Sequence, residues 1–449
     1  MALRHRFRLT LLAGALSALA AGAFADSFTT TGADFSKNLR GNRAEVVHAG
    51  GTAWVTGRAM TEGQMLRFRR GETLLADEPL VVGADGSFSF AFDLPADAAV
   101  GQHPITVTAQ NPDGAGVMML KVSPRVALQG QDGFDIAQTA LAKGIYQVAA
   151  GRDDKLFVAA SSGRGDEFTS VLMRLDGKTL TPDAEITPPR DDEGVQIGVY
   201  GLAVDNSNGT VWATNTRQDT VTIYRQDDLS VVKTFPIGTV AHPRDVIIDE
   251  AAGRAYVNAA LTPVVHVFDT ATTEEIGTLS LPATNPREPF ASMDLKLANG
   301  RIYSTSRATN EVAWVDVASG TGTAFRLDGL LSASGVAVDP ASNRLFVVGQ
   351  DSDNLMVVNG DDGTVLADTP IGAGALNVQF DPQAKRVYAI SRGAATLTVL
   401  DTDGQITANL PAGKLGNHLI LDGAGGVYAV SMSSAEEDAR GSYFHVTPR

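Results

Sequence analysis

The sequence predicts an all-β protein: a seven-bladed β-propeller preceded by a small immunoglobulin-like β-sandwich. Composition is the first reason. Of 449 residues, 44% are hydrophobic and only 19% charged, with 46 glycines and 19 prolines. Low charge with so many turn formers suits many short strands rather than long charged helices. The second reason is a unit that recurs from about Arg125 onward. It has an apolar strand ending near Asp, a polar turn and an aromatic-bearing strand, then a variable loop, an alternating strand and a Gly-rich turn. The third reason is its period. The second-strand aromatics are Phe157, Trp212, Tyr256, Tyr303, Phe346, Tyr388 and Tyr428, separated by 55, 44, 47, 43, 42 and 40 residues. Seven four-stranded units of roughly 40–50 residues are the pattern of a propeller, with the aromatics packed between blades.

Residues 1–25 read as a cleaved signal peptide. Arg4, Arg6 and Arg8 precede an apolar run from Leu9, and Ala23-Phe24-Ala25 forms a small-x-small cleavage site before Asp26. The expected compartment is the periplasm, with no membrane insertion, because no later stretch approaches about 18 consecutive apolar residues. Residues 26–44 read as an exposed linker. Residues 45–124 carry short alternating runs such as TAWVTGRA from Thr52 and GSFSFAFDLP from Gly86, separated by turn signals at Asp85-Gly86 and Asn111-Pro112. About seven short strands in roughly 80 residues predict the immunoglobulin-like sandwich.

Residues 125–449 are assigned to the propeller. First and second strands appear in GLAVDNSNGTVWAT from Gly201, DVIIDEAAGRAYVN from Asp245, GVAVDPASNRLFVV from Gly335 and NVQFDPQAKRVYAI from Asn377. The last unit is incomplete, offering HLILD from His418, GVYAVS from Gly426 and YFHV from Tyr443. Its missing strand is expected from Phe134–Ala142, which would remove an open, aggregation-prone edge.

Charge and cysteine content exclude several function classes. With no cysteine, disulfides, thiolate metal sites and thiol catalysis are ruled out. The formal charge of −15 becomes −18 once three signal-peptide arginines are removed, which opposes non-specific binding to nucleic acid or anionic lipid but leaves room for a locally basic site. No phosphate-binding loop, HExxH helix or nucleophile elbow is present. No catalytic residue, cofactor or metal site is therefore expected.

One face of the ring collects the binding candidates. Loops entering the first strands carry Lys143, Arg244 and Arg287, and loops between second and third strands carry Arg217, Arg307 and Arg392. Tyr146, Tyr200 and Phe290 lie beside them, and His242, Asn417 and His418 precede or open first strands. Such a basic ring with interleaved aromatics suits phosphates and stacked bases. Acids in the same loops, among them Asp219, Glu288, Asp351 and Asp353, offer the competing reading of a salt-bridged surface.

From about Phe134 to the C-terminus the chain resembles the YncE-like periplasmic proteins of the YVTN β-propeller group. The resemblance is carried by LAKGIYQVAA from Leu141, VYGLAVDNSNGTVWATNT from Val199, HPRDVIIDEAAGRAYVN from His242 and the incomplete last blade closing on SYFHV from Ser442. It implies a seven-bladed ring, a periplasmic location, no catalysis and an association with single-stranded DNA. The N-terminal sandwich departs from the simplest members and points to an envelope protein partner. The expected function is thus a non-enzymatic binding or interaction protein for single-stranded nucleic acid or a small anionic ligand. Two alternatives stand beside it: a propeller enzyme (metal-dependent lyase, lactonase or quinoprotein-like), and a structural envelope protein docking through the sandwich.

Overall fold

The computed structural model describes residues 31–41, 45–260, 262–432 and 441–449. The expected signal peptide lies outside these residues. The chain forms two compact units, Met1–Val122 and Ser123–Arg449.

In the N-terminal unit two sheets share one apolar core. The strands Thr52–Gly57 and Met65–Arg70 alternate inward apolar with outward polar residues, the period-two pattern of a half-buried sheet. Thr52–Gly57 pairs with Leu39–Arg40 and Phe88–Asp93 in a three-stranded sheet. Met65–Arg70, Gly101–Gln110 and Gly114–Val122 form the centre of the other. Ala53, Val55, Leu66, Phe68, Ile105 and Val107 fill the space between them. The segment expected to be an exposed linker is corrected in part. Ala33–Asp34 runs parallel to the edge strand Gly114–Val122, and Phe35 and Leu39 are buried in the core. Their rings and branches bury enough apolar surface to hold the segment down.

In the second unit seven four-stranded antiparallel sheets follow one another along the chain. Their first strands neighbour one another around an axis: Ile145–Ala150, Leu202–Asp205, Pro243–Asp249, Ser292–Ala298, Ala333–Asp339, Ala375–Asp381 and Gly416–Leu421. The repeat's conserved spacing has a physical basis at each turn. Asp205, Asp249, Asp339 and Asp381 end their strands and accept backbone N–H bonds from residues two or three further on, closing the first hairpin. Phe157, Trp212, Tyr256, Tyr303, Phe346 and Tyr388 are wholly buried, while Tyr428 in the last blade is half-buried. They pack against the following blade, as Trp212 does against Phe268 with ring centroids 5.7 Å apart.

The ring closes as the sequence requires. Phe134–Ala140 pairs antiparallel with Ser442–Pro448, in register from Phe134 opposite Pro448 to Ala140 opposite Ser442. The outer strand of the last blade therefore comes from the start of the unit. Arg449 reinforces the seam through a 2.8 Å bond to Asp135.

Two outcomes test this architecture. Deleting residues 134–140 should lower the stability of the propeller by more than about 4–5 kcal/mol, beyond the reach of ordinary point substitutions; an unchanged melting curve contradicts the closure. A fragment of residues 31–124 should unfold cooperatively, and one of residues 45–124, lacking Phe35 and Leu39, should melt lower by about 2–5 kcal/mol of stability.

Candidate anion site at the propeller mouth

Two successive residues of each first strand build the centre of the ring. The lower position is held in blade order by Gln147, Gly201, Asp245, Asp294, Gly335, Asn377 and His418. Five of these side chains accept a hydrogen bond from the first-strand backbone of the next blade. Gln147 Oε1 takes the Leu202 N–H at 2.8 Å, Asp245 Oδ2 that of Leu295 at 2.9 Å and Asp294 Oδ2 that of Val336 at 3.2 Å. Asn377 Oδ1 takes Leu419 N–H and His418 Nδ1 takes Val148 N–H, both at 3.4 Å. The blades are thus laced together by polar atoms in a buried position, where an unmade bond would be costly. Blade two has no side chain there. A Cβ on Gly201 would lie 2.4 Å from the Arg244 carbonyl oxygen, and across this gap Gln147 Nε2 reaches Asp245 Oδ1 at 3.1 Å.

The electrostatics of this belt follow from burial. Asp245 and Asp294 lie close enough for each to act on the other's ionisation. Burial pushes the Asp294 carboxyl up to about 7; Lys296, at 3.4 Å, opposes the rise and the charge on Asp245 adds to it. Burial works against ionisation of Asp245 too, but the Lys296 charge, followed by the neighbouring Asp294, outweighs it and holds the Asp245 carboxyl below its ordinary value. Burial pushes His418 down to about 3 despite Asp245. A neutral imidazole is also what its geometry demands, since Nδ1 accepts the Val148 N–H and must be unprotonated.

Above the belt, the preceding residue of each first strand forms the mouth. Tyr146, Arg244, Met293, Ser334, Leu376 and Asn417 line a cavity of about 10 Å³, room for about one water. This cavity has no room for a ligand larger than a water. Arg244 spans it, donating from Nη1 to the Tyr146 hydroxyl at 2.7 Å and from Nε to the Met293 carbonyl at 3.0 Å. Asn417 Nδ2 fixes the Tyr146 carbonyl at 2.6 Å, and Tyr146 meets Tyr200 edge to face with centroids 5.3 Å apart.

The arginines of the second-to-third-strand loops complete the rim. Arg392 is largely buried, and burial lowers its pKa; Tyr146 opposes this, while the charges of Arg244 and Arg307 add to it. Among the described residues its Nε has no hydrogen-bond partner, and its Nη2 meets the Met432 sulfur at 3.3 Å. Arg217 lies 4.1 Å over the Phe168 ring and its charge acts on Tyr200. Among the described residues, none of Arg217, Arg244, Arg307 and Arg392 forms an ion pair with a carboxylate. The acids that might have neutralised them are engaged elsewhere. Asp219 accepts the His242 backbone N–H at 2.8 Å, Glu311 holds Thr284 and Thr309, and Glu288 pairs with Arg326.

Of the residues selected from sequence, Tyr146, Tyr200, Arg217, Arg244, Arg307, Arg392 and Asn417 come together at the mouth, with His418 directly below. Lys143, His242 and Arg287 are exposed in the surrounding loops. Phe290 is a correction: it is wholly buried with Tyr256, Leu281 and Leu295, so it packs blades together and offers no face to a ligand. Gln147, Asp245, Asp294 and Lys296 were missed. The signal was present, because Gln, Asp, Asp, Asn and His occupy one aligned position before the apolar core of their first strands. Among the described residues no three His, Asp or Glu side chains converge as a metal site.

The belt makes an opposed pH dependence. His418, whose folded pKa lies below its unfolded value, contributes stability that is present above about pH 6.5 and lost as pH falls towards 3. Asp294, whose folded pKa lies above its unfolded value, contributes stability that is present below about pH 3.8 and lost as pH rises through 7. Asp294→Asn keeps a donor for Asp245 without the ionisation. Its melting temperature relative to the wild type should rise as pH increases from about 4 through 7 and level off above; a difference that does not change with pH contradicts the raised Asp294 carboxyl.

Comparison with known proteins agrees with the ring. The streptogramin B lyase structure superposes with a TM-score of 0.56 at 12% identity, covering 71% of this chain and 100% of that one. Virginiamycin B lyase from Staphylococcus aureus gives 0.56 at 13%, covering 70% and 100%. Hydrazine synthase of Kuenenia stuttgartiensis gives 0.54 at 16%, covering 68% and 96%. At these identities the likeness is one of fold. No curated protein sequence matches the chain. The family model described as lactonase, seven-bladed β-propeller, matches residues 136–369, just over half of the chain. With that match and seven four-stranded blades closed on themselves, the chain belongs to the lactonase family of seven-bladed β-propellers.

Proposed function

We propose that the protein is a periplasmic binding protein whose propeller mouth takes an anionic ligand, single-stranded nucleic acid or a smaller phosphate- or carboxylate-bearing molecule. One observation carries this reading. Arg244, Arg307 and Arg392 stand near enough around Tyr146 to act on one another's charge, with no carboxylate paired to them among the described residues. Such a cluster is destabilised by self-repulsion, and an anion relieves it through charge-assisted bonds to the guanidinium forks. Tyr146 and Tyr200 supply aromatic surface beside the charges. The signal-like segment before Asp26 supports export, and the two-sheet N-terminal unit is read as an immunoglobulin-like module suited to an envelope partner.

A second reading, hydrolysis or elimination on a substrate held at the mouth, is favoured by the family match and by the buried carboxyl pair Asp294 and Asp245 beneath it. It predicts turnover of a lactone substrate that is lost in Asp294→Asn.

For the main reading, a single-stranded oligothymidylate is titrated at two salt concentrations. Each phosphate neutralised adds about −0.7 to the slope of log K against log salt, so replacing Arg217, Arg307 and Arg392 together by Ala should flatten it by roughly two units. Tyr146→Ala or Tyr200→Ala should cost about 1–3 kcal/mol with little change in slope if bases stack there. Indifference of binding to both sets contradicts the nucleic-acid assignment and leaves the small anion, for which phosphate and citrate titrations against the same triple variant decide.

A further inference from the structure

We propose that Met432 is an oxidation site whose sulfoxide engages Arg392 and so turns down anion capture at the propeller mouth. This regulation rests on the reading of the mouth as an anion site. The chain holds nine methionines and no cysteine, so thioethers are the only sulfur it offers to two-electron oxidants. Met432 is half-buried, with part of its surface open to solvent, whereas Met173 and Met356 are sealed in the core.

The fold seats Met432 against a guanidinium. Ser306, Ser391 and Ser431 close the same strand pairing in blades four, six and seven, so Arg307, Arg392 and Met432 share the next position. Blade seven thus presents a thioether where two other blades present a cation. Two backbone bonds fix the contact. The Met432 N–H donates to the Leu415 carbonyl at 3.0 Å, and the Leu415 N–H to the Arg392 carbonyl at 3.1 Å. The Met432 sulfur then lies 3.3 Å from Arg392 Nη2, and among the described residues Arg392 Nε has no partner. A thioether is a weak acceptor, so it leaves this largely buried cation under-satisfied.

Oxidation by a peroxide changes the acceptor. The sulfur lone pair attacks one peroxide oxygen, and the O–O bond breaks as the S–O bond forms. The departing hydroxide takes the proton from the transferred oxygen and leaves as water. The thioether is oxidised by two electrons and the peroxide is reduced by two. The new oxygen is a strong acceptor on the very atom that touches Arg392, and it makes a charge-assisted bond to the guanidinium. Donors taken up in this way no longer meet the ligand, which is left to Arg244 and Arg307.

To test this, the intact chain is treated with hydrogen peroxide, mapped by peptide mass spectrometry and titrated in parallel with citrate and a single-stranded oligothymidylate. Met432 should gain one oxygen under conditions that leave Met173 and Met356 reduced. Whichever anion binds should then bind about tenfold more weakly, the effect of one charge-assisted bond, and methionine sulfoxide reductase should restore its affinity. Met432→Leu should bind like the untreated wild type and keep its affinity through oxidation. Met432→Gln sets a carbonyl acceptor there without an oxidant and should weaken binding about tenfold, with its unfolding curve recorded to show that the ring is intact. Three results would each overturn the switch: Met432 still reduced once the exposed Met119 is converted, affinity unchanged by oxidation of Met432, or an equal loss in oxidised Met432→Leu. Binding of neither anion to the untreated chain counts instead against the anion reading of the mouth, and the switch falls with it.

Discussion

The propeller depends on a belt of buried hydrogen bonds around its axis. Apolar packing between blades favours a ring but fixes neither the rotation of each blade nor which residues face inward. The acceptors on Gln147, Asp245, Asp294, Asn377 and His418 do both, because each must meet the backbone N–H of the next blade or stay unsatisfied in a dry interior. Each bond joins consecutive blades, so the belt couples local strand geometry to closure of the whole ring. The seam between Phe134–Ala140 and Ser442–Pro448 then locks the circle from outside.

The belt also dictates the chemistry above it. Its polar side chains leave only a single-water cavity beneath the mouth residues Tyr146, Arg244 and Asn417. There Arg244 is held by Tyr146 and Met293, and Arg392 sits in its field with an Nε that has no partner among the described residues. Concentrated positive charge on a chain of net charge −15 gives the mouth a contrast that a uniformly basic protein lacks.

Much of the candidate site was legible because the repeat itself marks position. Tyr146, Arg244 and Asn417 share one place in their first strands, and Arg217, Arg307 and Arg392 share one loop, so repeat alignment puts them on one face. Phe290 misled for the opposite reason. A phenylalanine just before a first strand reads equally well as a rim aromatic or a core plug, and only the packing of Tyr256, Leu281 and Leu295 around it decides. The linker reading was corrected similarly around Phe35 and Leu39, which have no periodic neighbours to announce their burial.

By itself the sequence determined the all-β class, the seven-unit repeat and the donor of the closing strand, because spacing, turn residues and alternation are local and recur seven times. The tertiary structure alone decided which charges are compensated. Asp219, Glu288 and Glu311 stand as close in sequence to the arginines as any partner would, yet they bond to His242, Arg326 and Thr284 instead. It also decided that Asp245 and Asp294, one blade apart and 49 residues apart in the chain, are buried close enough to shift each other's ionisation. Pairing and desolvation are properties of distances across the ring, and no residue's neighbours along the chain encode them.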